Sequence, residues 1–181
     1  MHLLKKPSLS IIGARNASLN SCKYAERISR ELGEQGYVVI SGMARGIDRS
    51  AHQGALISGT IAVLGNGINI PYPSQNRDIY QTIKQSGLIL SEMPFAQNPA
   101  ARFFPQRNRI IAALSDGCLV IEAAFKSGSL ITASQAADRN VPVMAIQGSS
   151  LDPRAQGCNQ LISDGAHLVQ SVSEIISILS S

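Results

Sequence analysis

Seven short apolar runs rich in Ile and Val recur along the chain, and stretches with helical spacing separate most of them. The apolar runs lie at 9–13, 37–42, 60–65, 88–92, 118–123, 141–146 and, more weakly, 167–170. The helical stretches lie at 23–36, 47–57, 73–87, 107–115, 129–140 and 171–179. Continuous apolar strands that alternate with amphipathic helices are typical of a sheet covered on both faces. The pattern therefore predicts one doubly wound α/β domain with a mostly parallel sheet and helices on both faces.

Composition agrees with a globular chain, since 44% of the residues are apolar and 15% are charged. Aromatic residues make up only 4% and Trp is absent, so we expect an aliphatic core. No apolar run approaches the roughly 20 residues that span a bilayer, and the charges near the start are followed by proline rather than by a signal-peptide core. These features predict a cytoplasmic protein without membrane contact.

Cysteine and histidine are too few and too scattered to predict a metal site. The three cysteines and three histidines show none of the close paired spacings that zinc sites use. The turn after the first strand reads GARNAS, with one glycine where a dinucleotide fingerprint needs three, and no P-loop motif occurs. We therefore expect no metal and no bound cofactor.

The segment SGMARGID, residues 41–48, follows the second apolar run, and ligands of such sheets bind at the carboxyl ends of the strands. Gly42 and Gly46 allow backbone angles that turn N–H groups outward, and the following helix presents its positive end. Arg45 adds a forked donor for phosphate, and we expect Asp48 to orient it. The alternative is an ordinary tight turn with a surface arginine. On balance the segment predicts an anion-binding turn.

The segment FPQRNRIIAALS, residues 104–115, places Arg107 and Arg109 on either side of Asn108 at the start of a helix. Residues two apart on a helix point to different sides. One arginine is therefore expected at the ligand edge and the other inside the protein, and the spacing does not decide which.

A third basic segment, KSGSLITA (126–133), follows the fifth strand. Lys126 supplies a point charge, and Ser127, Ser129 and Thr132 supply donors at a helix start whose N–H groups are free. Several such segments on one sheet edge predict a ligand with several phosphates in a row. From the residues alone, a nucleotide and a nucleic acid remain equally compatible.

Signals for catalysis are weak. Glu92 and Glu122 close two strands but have no histidine or metal partner in the sequence, so we expect them to pair with loop arginines. The nucleophile-elbow pattern G-x-S-x-G is absent. The sequence therefore predicts a binding protein rather than an enzyme.

Several motifs closely resemble those of the DNA-processing protein A family, also called DprA or Smf. They are GARNAS, SGMARGIDRSAHQGAL, AVLGNGINIPYPSQN, GLILSE, FPQRNRIIAALS, EAAFKSGSLITA and LDPRAQGCNQLISDGA, in order over residues 8–170. The resemblance implies an extended Rossmann-like core that binds single-stranded DNA, forms homodimers and delivers the strand to the RecA recombinase during natural transformation.

Carried over by motif, the resemblance also implies a DNA pocket. The pocket would comprise Ser41, Gly42, Arg45, Gly46, Arg107, Asn108, Arg109, Lys126, Ser127, Gly128 and Ser129. Phe103 or Phe104 is expected to stack at most one base. We expect residues 1–181 to form the core domain alone, without the N-terminal helical and C-terminal winged-helix-like domains of many members.

Two alternatives use the same basic segments. Cytokinin-activating phosphoribohydrolases, enzymes of the same broader group, carry a PGGxGTxxE-like signature, whereas this chain reads AFKSGSLITA without the paired glycines or the glutamate. That difference disfavours a nucleotide hydrolase. A sensor that only binds a small nucleotide differs from the DNA hypothesis in ligand size alone.

Overall fold

The computed structural model describes residues 2–180, which contain a seven-stranded sheet with the strand order β4-β3-β2-β1-β5-β6-β7. Every paired neighbour within the described residues is parallel. The predicted doubly wound α/β fold is confirmed. The strands are β1 (Ser8–Gly13), β2 (Val38–Ser41), β3 (Thr60–Leu64), β4 (Leu88–Ser91), β5 (Gly117–Ile121), β6 (Val143–Ala145) and β7 (His167–Leu168).

Helices connect these strands, and each of the six predicted helical stretches overlaps one of them. The helices are α1 (Leu19–Glu34), α2 (Ile47–Gly54), α3 (Arg77–Ser86), α4 (Phe103–Leu114), α5 (Gly128–Ala137), α6 (Gln156–Ser163) and α7 (Val172–Leu179). Short 3-10 turns occupy His2–Lys5 and Ser74–Asn76. The sequence patterns did not predict α6.

The core is aliphatic, as the composition predicts, and forms two layers. On one face of the sheet, α4, α5 and α6 cover Val38, Ile40 and Val120. On the other face, α1, α2 and α7 cover Leu9 and Ile11. The strands β2, β3 and β5 are buried along their whole length, because helices lie against both of their faces.

The sheet has a topological switch point at β1, which pairs with β2 on one side and β5 on the other. The connections leave the carboxyl ends of β1 and β5 in opposite directions, and this opens a crevice between them. Gly13 ends β1 where a Cβ atom would lie 2.0 Å from the Ile121 carbonyl oxygen and 2.6 Å from Ile47. The absence of a side chain at Gly13 therefore lets α2 and β5 approach the end of β1.

Candidate functional site

A cleft of about 700 Å³ opens at this switch point. Most of its lining comes from three segments, which are the loop after β1, the first turns of α4, and the loop between β5 and α5. The basic residues on its wall are Arg15, Arg107 and Lys126. The sequence predicts anion-binding segments at the carboxyl edge of the sheet, and the cleft lies at that edge.

The loop before α5 forms one wall of the cleft. Ser127 caps the helix, and its hydroxyl oxygen accepts the Ser129 N–H at 3.4 Å. The backbone N–H groups of Lys126 and Gly128 donate to no atom within residues 2–180. Lys126 itself is exposed and has a left-handed backbone, with φ at 63°. A helix N-terminus with unpaired N–H groups and an adjacent ammonium group is suited to hold a phosphate.

The loop after β1 faces this wall and supplies Arg15, which was not among the predicted site residues. Its guanidinium lies 5.4 Å from the centre of the Phe104 ring, and that ring stacks on Tyr72 at 5.7 Å between centroids. Arg15 is exposed, and its backbone N–H donates to no atom within the described chain. Its place directly after the first strand, in GARNAS, was the available sequence signal.

A second cleft of about 460 Å³ adjoins the first. Arg15, Tyr72, Phe104 and Arg107 line both clefts, so these side chains form the wall between them. Arg45 lines the second cleft and is exposed. Phe104, one of the two phenylalanines expected to stack a base, thus already contacts Tyr72 and Arg15.

The turn between β2 and α2 is held by hydrogen bonds to the carboxylate of Asp48. The buried Asp48 carboxylate accepts the N–H groups of Gly42 at 3.1 Å and Ala44 at 3.2 Å. The N–H of Ile47, the first residue of α2, donates to the Ala14 carbonyl at 3.2 Å. Contrary to expectation, no hydrogen bond joins Asp48 to Arg45 among the described residues, and Asp48 Oδ2 accepts both N–H groups of the turn instead.

Both glycines of this turn are required for close packing. A Cβ atom at Gly42 would lie 2.7 Å from the Arg107 guanidinium and 2.8 Å from the Asp48 carboxylate. Gly46 has φ at 70°, and a Cβ atom there would lie 2.3 Å from the Ala14 carbonyl oxygen. The two glycines thus allow the turn, the loop after β1 and the Arg107 side chain to pack closely together.

Arg107 is the internal member of the arginine pair, yet it borders both clefts. Its Nη1 donates to the carbonyl oxygens of Gly42, at 2.6 Å, and of Val63. Burial lowers the pKa of Arg107 to about 10. Burial also raises the pKa of Asp48, against the opposing effect of Arg107. Arg107 therefore holds the ends of β2 and β3 together beneath the site.

Arg109 points away from the clefts and lines neither of them. It is exposed and forms an ion pair with Glu92 at the end of β4. The expected pairing of Glu92 with an arginine is present, although the arginine belongs to a helix. Arg109 therefore lies apart from the other basic residues of the predicted pocket.

The eleven predicted site residues divide into three groups. Ser41 is fully buried and donates to the Ile11 carbonyl at 2.6 Å, and with Gly46 and Arg109 it lines neither cleft. Gly42 and Arg45 line the second cleft. The first cleft is lined by the rest: Arg107, which also borders the second cleft, Asn108, Lys126, Ser127, Gly128 and Ser129.

Glu122, the other candidate carboxylate, anchors α1 instead of pairing with an arginine. Its carboxylate accepts the Ser18 N–H at 2.9 Å, the Ser18 hydroxyl at 2.6 Å and the Ser21 hydroxyl at 2.7 Å. A carboxylate at a helix N-terminus stabilises the helix. The expectation of an arginine pair at Glu122 is therefore wrong.

Neither thiol chemistry nor a metal cluster is indicated by the geometry. Burial raises the pKa of Cys118 and Cys158 to about 11 in each case. Within residues 2–180, no group of three His, Cys, Asp or Glu side chains is positioned to hold a metal ion. None of the helices in that range is both long and apolar enough to cross a membrane.

Fold and site together define an α/β protein with a cleft lined by basic residues at the switch point of a parallel sheet. The family model of DNA recombination-mediator protein A matches residues 1–180. The chain belongs to this family, as its motifs suggested.

Several relatives cover nearly the whole chain. DNA processing protein DprA of Streptococcus pneumoniae is 42% identical over 97% of the chain, and protein Smf of Escherichia coli is 40% identical over 97%. The chain spans 63% and 48% of these two proteins. The solved structure of the S. pneumoniae protein superposes with a TM-score of 0.92, covering 97% of this chain and 62% of that one.

A second solved structure concerns DNA processing protein A from Helicobacter pylori and its unique single-stranded DNA binding mode. It has a TM-score of 0.92 and 32% identity, and the match covers 99% of this chain and 83% of that one. The molybdenum cofactor binding protein of Rippkaea orientalis matches with a TM-score of 0.66 at 18% identity, which shows a shared fold alone.

Proposed function

We propose that this chain binds single-stranded DNA without regard to sequence and acts without catalysing a reaction. The observation that carries the proposal is the cleft at the switch point. There Lys126, Arg15 and unpaired N–H groups meet in a chain of a DNA recombination-mediator family. The H. pylori relative, described as binding single-stranded DNA, supports nucleic acid over a small nucleotide.

Electrostatic contacts to the backbone account for binding in this proposal. Phosphates are held by the ammonium group of Lys126, the guanidinium groups of Arg15 and Arg45, and the free N–H groups of the loop before α5. Contacts to phosphates fix position but carry no sequence information. We expect about three phosphates to be neutralised, one by each of these exposed cations.

The proposal extends to a role in transformation. The bound strand is protected in the clefts and is then delivered to the RecA recombinase. A homodimer would place two clefts on one strand and raise the apparent affinity through effective concentration. Delivery is tested by the rate of recombinase filament formation on a strand coated with single-strand binding protein. An unchanged rate on adding this chain would contradict that part of the proposal.

The first test is fluorescence anisotropy with a labelled oligothymidine and with a duplex of equal length. We expect the single strand to bind more tightly. Lys126→Glu should weaken binding at least about tenfold, because a charge-assisted contact is replaced by repulsion. Lys84→Glu is the matched control, since Lys84 is exposed on α3 and lines neither cleft.

Two outcomes would contradict DNA binding at this cleft. Equal losses in Lys126→Glu and Lys84→Glu would mean that only overall charge matters. Displacement of the strand by an equimolar free nucleotide would favour the small-nucleotide sensor instead. Circular dichroism and thermal unfolding of both variants establish that the fold is retained.

A further inference from the structure

The second cleft has the features of a site for one base, and the inference rests on the proposed function. It shares the wall of Arg15, Tyr72, Phe104 and Arg107 with the first cleft. A strand whose phosphates lie in the first cleft therefore passes the opening of the second. At about 460 Å³, the second cleft lies within the range of small-molecule sites.

Asn66 gives this cleft a fixed hydrogen-bond acceptor. Asn66 is 1% exposed and lines the cleft. Its side-chain nitrogen donates to the carbonyl oxygens of Gly67 at 3.1 Å and Ile70 at 2.7 Å. Because both partners are acceptors, the orientation of the amide is determined. The Oδ1 atom accepts no hydrogen bond from residues 2–180, and it is not among the fully enclosed side-chain atoms that lack a partner.

An acceptor that no protein donor satisfies, and that is not fully enclosed, can accept a hydrogen bond from water or from a ligand. Asn66 lines the second cleft together with an aromatic pair, Tyr72 and Phe104. Aromatic rings bind bases of any sequence by stacking, and an oxygen acceptor binds the N–H groups on a base edge. Both features match a nucleobase better than a phosphate, because a phosphate oxygen offers Asn66 Oδ1 no proton.

We propose that the second cleft binds one nucleobase of the bound strand, with Asn66 Oδ1 as its acceptor and the Tyr72–Phe104 pair as its aromatic wall. Arg45, on the same lining, neutralises the adjacent phosphate. The protein then holds phosphates in one cleft and a base in the other. Thymine, guanine and the amino-bearing bases all present an N–H group, so the contact does not select among the natural bases.

The test uses three strands of equal length that are abasic at every position other than the central one. The central position carries thymine, N3-methylthymine or no base. Thymine should increase the affinity at least about fivefold over the fully abasic strand, as expected for one bound base. N3-methylthymine should lose most of that gain, because methylation removes the N–H that Asn66 Oδ1 would accept.

A cleft variant provides the second arm. Ser74 lines the second cleft, is exposed and forms no side-chain hydrogen bond within the described chain. Ser74→Tyr brings a bulky ring to the cleft and should abolish the difference between the thymine and abasic strands. Gln81→Tyr, on the exposed surface of α3 and outside both clefts, should retain the difference.

The outcomes separate this inference from the proposed function. Tight binding of all three strands with equal affinity would overturn the base site while leaving the phosphate cleft intact. Retention of the thymine gain in Ser74→Tyr would place the base elsewhere. Failure of every strand to bind, including an unmodified oligothymidine, would overturn both proposals.

Discussion

At the residue scale, His52 is a buried histidine held in its neutral form. Its Nδ1 lies 2.8 Å from the Thr60 hydroxyl, which itself donates to the Val39 carbonyl at 2.7 Å. Because the Thr60 hydroxyl donates its proton to Val39, the hydrogen bond between His52 and Thr60 must use a proton on Nδ1. The Nε2 atom has no partner among the described residues, and burial lowers the pKa of His52 to about 3.

This histidine predicts an acid-sensitive fold. The unfolded chain takes up a proton near pH 6.5 while the folded chain does not, so stability is full above pH 6.5 and falls as the pH drops toward 3. Between pH 7 and pH 5 the free energy of unfolding should decrease by about 2 kcal/mol. Urea titrations at the two pH values measure the decrease.

His52→Met is the variant that tests the assignment, because it retains bulk and removes the titrating group. Its stability should change little between pH 7 and pH 5. Asp78 also loses stabilisation in acid, since the Arg49 guanidinium lowers its pKa, but only as the pH falls below the usual aspartate range. An equal decrease in His52→Met and the unaltered chain would mean that another group titrates.

The sequence predicted which residues line the clefts better than it predicted the contacts of each side chain. Gly42, Arg107 and Lys126 were recognised because they follow strands or open helices at one sheet edge. The spacing of Arg107 and Arg109 could not decide which one lies inside, because that depends on how α4 packs over β3. The role of Asp48 depended likewise on the path of the turn, which brings backbone N–H groups to its carboxylate.

At the element scale, the alternation of apolar runs and helices was enough to predict the sheet, because strands buried on both faces read as continuous Ile and Val. Helix α6 lacked such a signal. Gly157, near its start, donates its backbone N–H to the Ala123 carbonyl at 2.7 Å. A Cβ atom there would lie 2.7 Å from the same oxygen. This helix is thus fixed by docking on the loop after β5, which is a tertiary contact.

The pairing of α1 with α2 yields a prediction for Gly54. A Cβ atom at this position would lie 2.0 Å from the Glu26 carbonyl oxygen and 2.9 Å from the Ser29 side chain. Gly54→Ala therefore forces the two helices apart and should lower the free energy of unfolding by about 1–3 kcal/mol. The loss is measured by urea unfolding at pH 7.

Gly128→Ala is the matched control for that substitution. A Cβ atom at Gly128 meets no atom within 4 Å, and alanine favours the helical backbone at the start of α5. Its stability should equal or slightly exceed that of the unaltered chain. If both variants lose the same stability, the close approach of α1 and α2 at Gly54 is not what matters.

At the scale of the whole molecule, the net charge of +4 and the isoelectric point near 9.2 are modest for a nucleic-acid binder. Charge placement is therefore more informative than total charge. Lys126, Arg15 and Arg45 are exposed at the two clefts, whereas Arg49 and Arg109 form ion pairs with Asp78 and Glu92. The basic residues at the two clefts thus lie outside these ion pairs and can contact a phosphate.

This distribution predicts the salt dependence of DNA binding. With about three phosphates neutralised, the logarithm of affinity should fall against the logarithm of salt with a slope near roughly −2, at about 0.7 per contact on a single strand. Lys126→Glu removes one contact, so the slope should become shallower, at roughly −1.4 or closer to zero. Lys84→Glu should leave the slope unchanged, because Lys84 lies outside both clefts.

The intercept of the same titration separates the contribution of the second cleft to affinity from that of the phosphate contacts. Affinity that persists when the line is extrapolated to about 1 M salt comes from contacts other than counterion release. A base held against Tyr72 and Asn66 predicts a larger intercept for a thymine strand than for an abasic one, with equal slopes for both. Equal intercepts with the expected slope would leave phosphate binding as the whole interaction. A slope near zero would instead show that the basic residues at the clefts do not meet the strand.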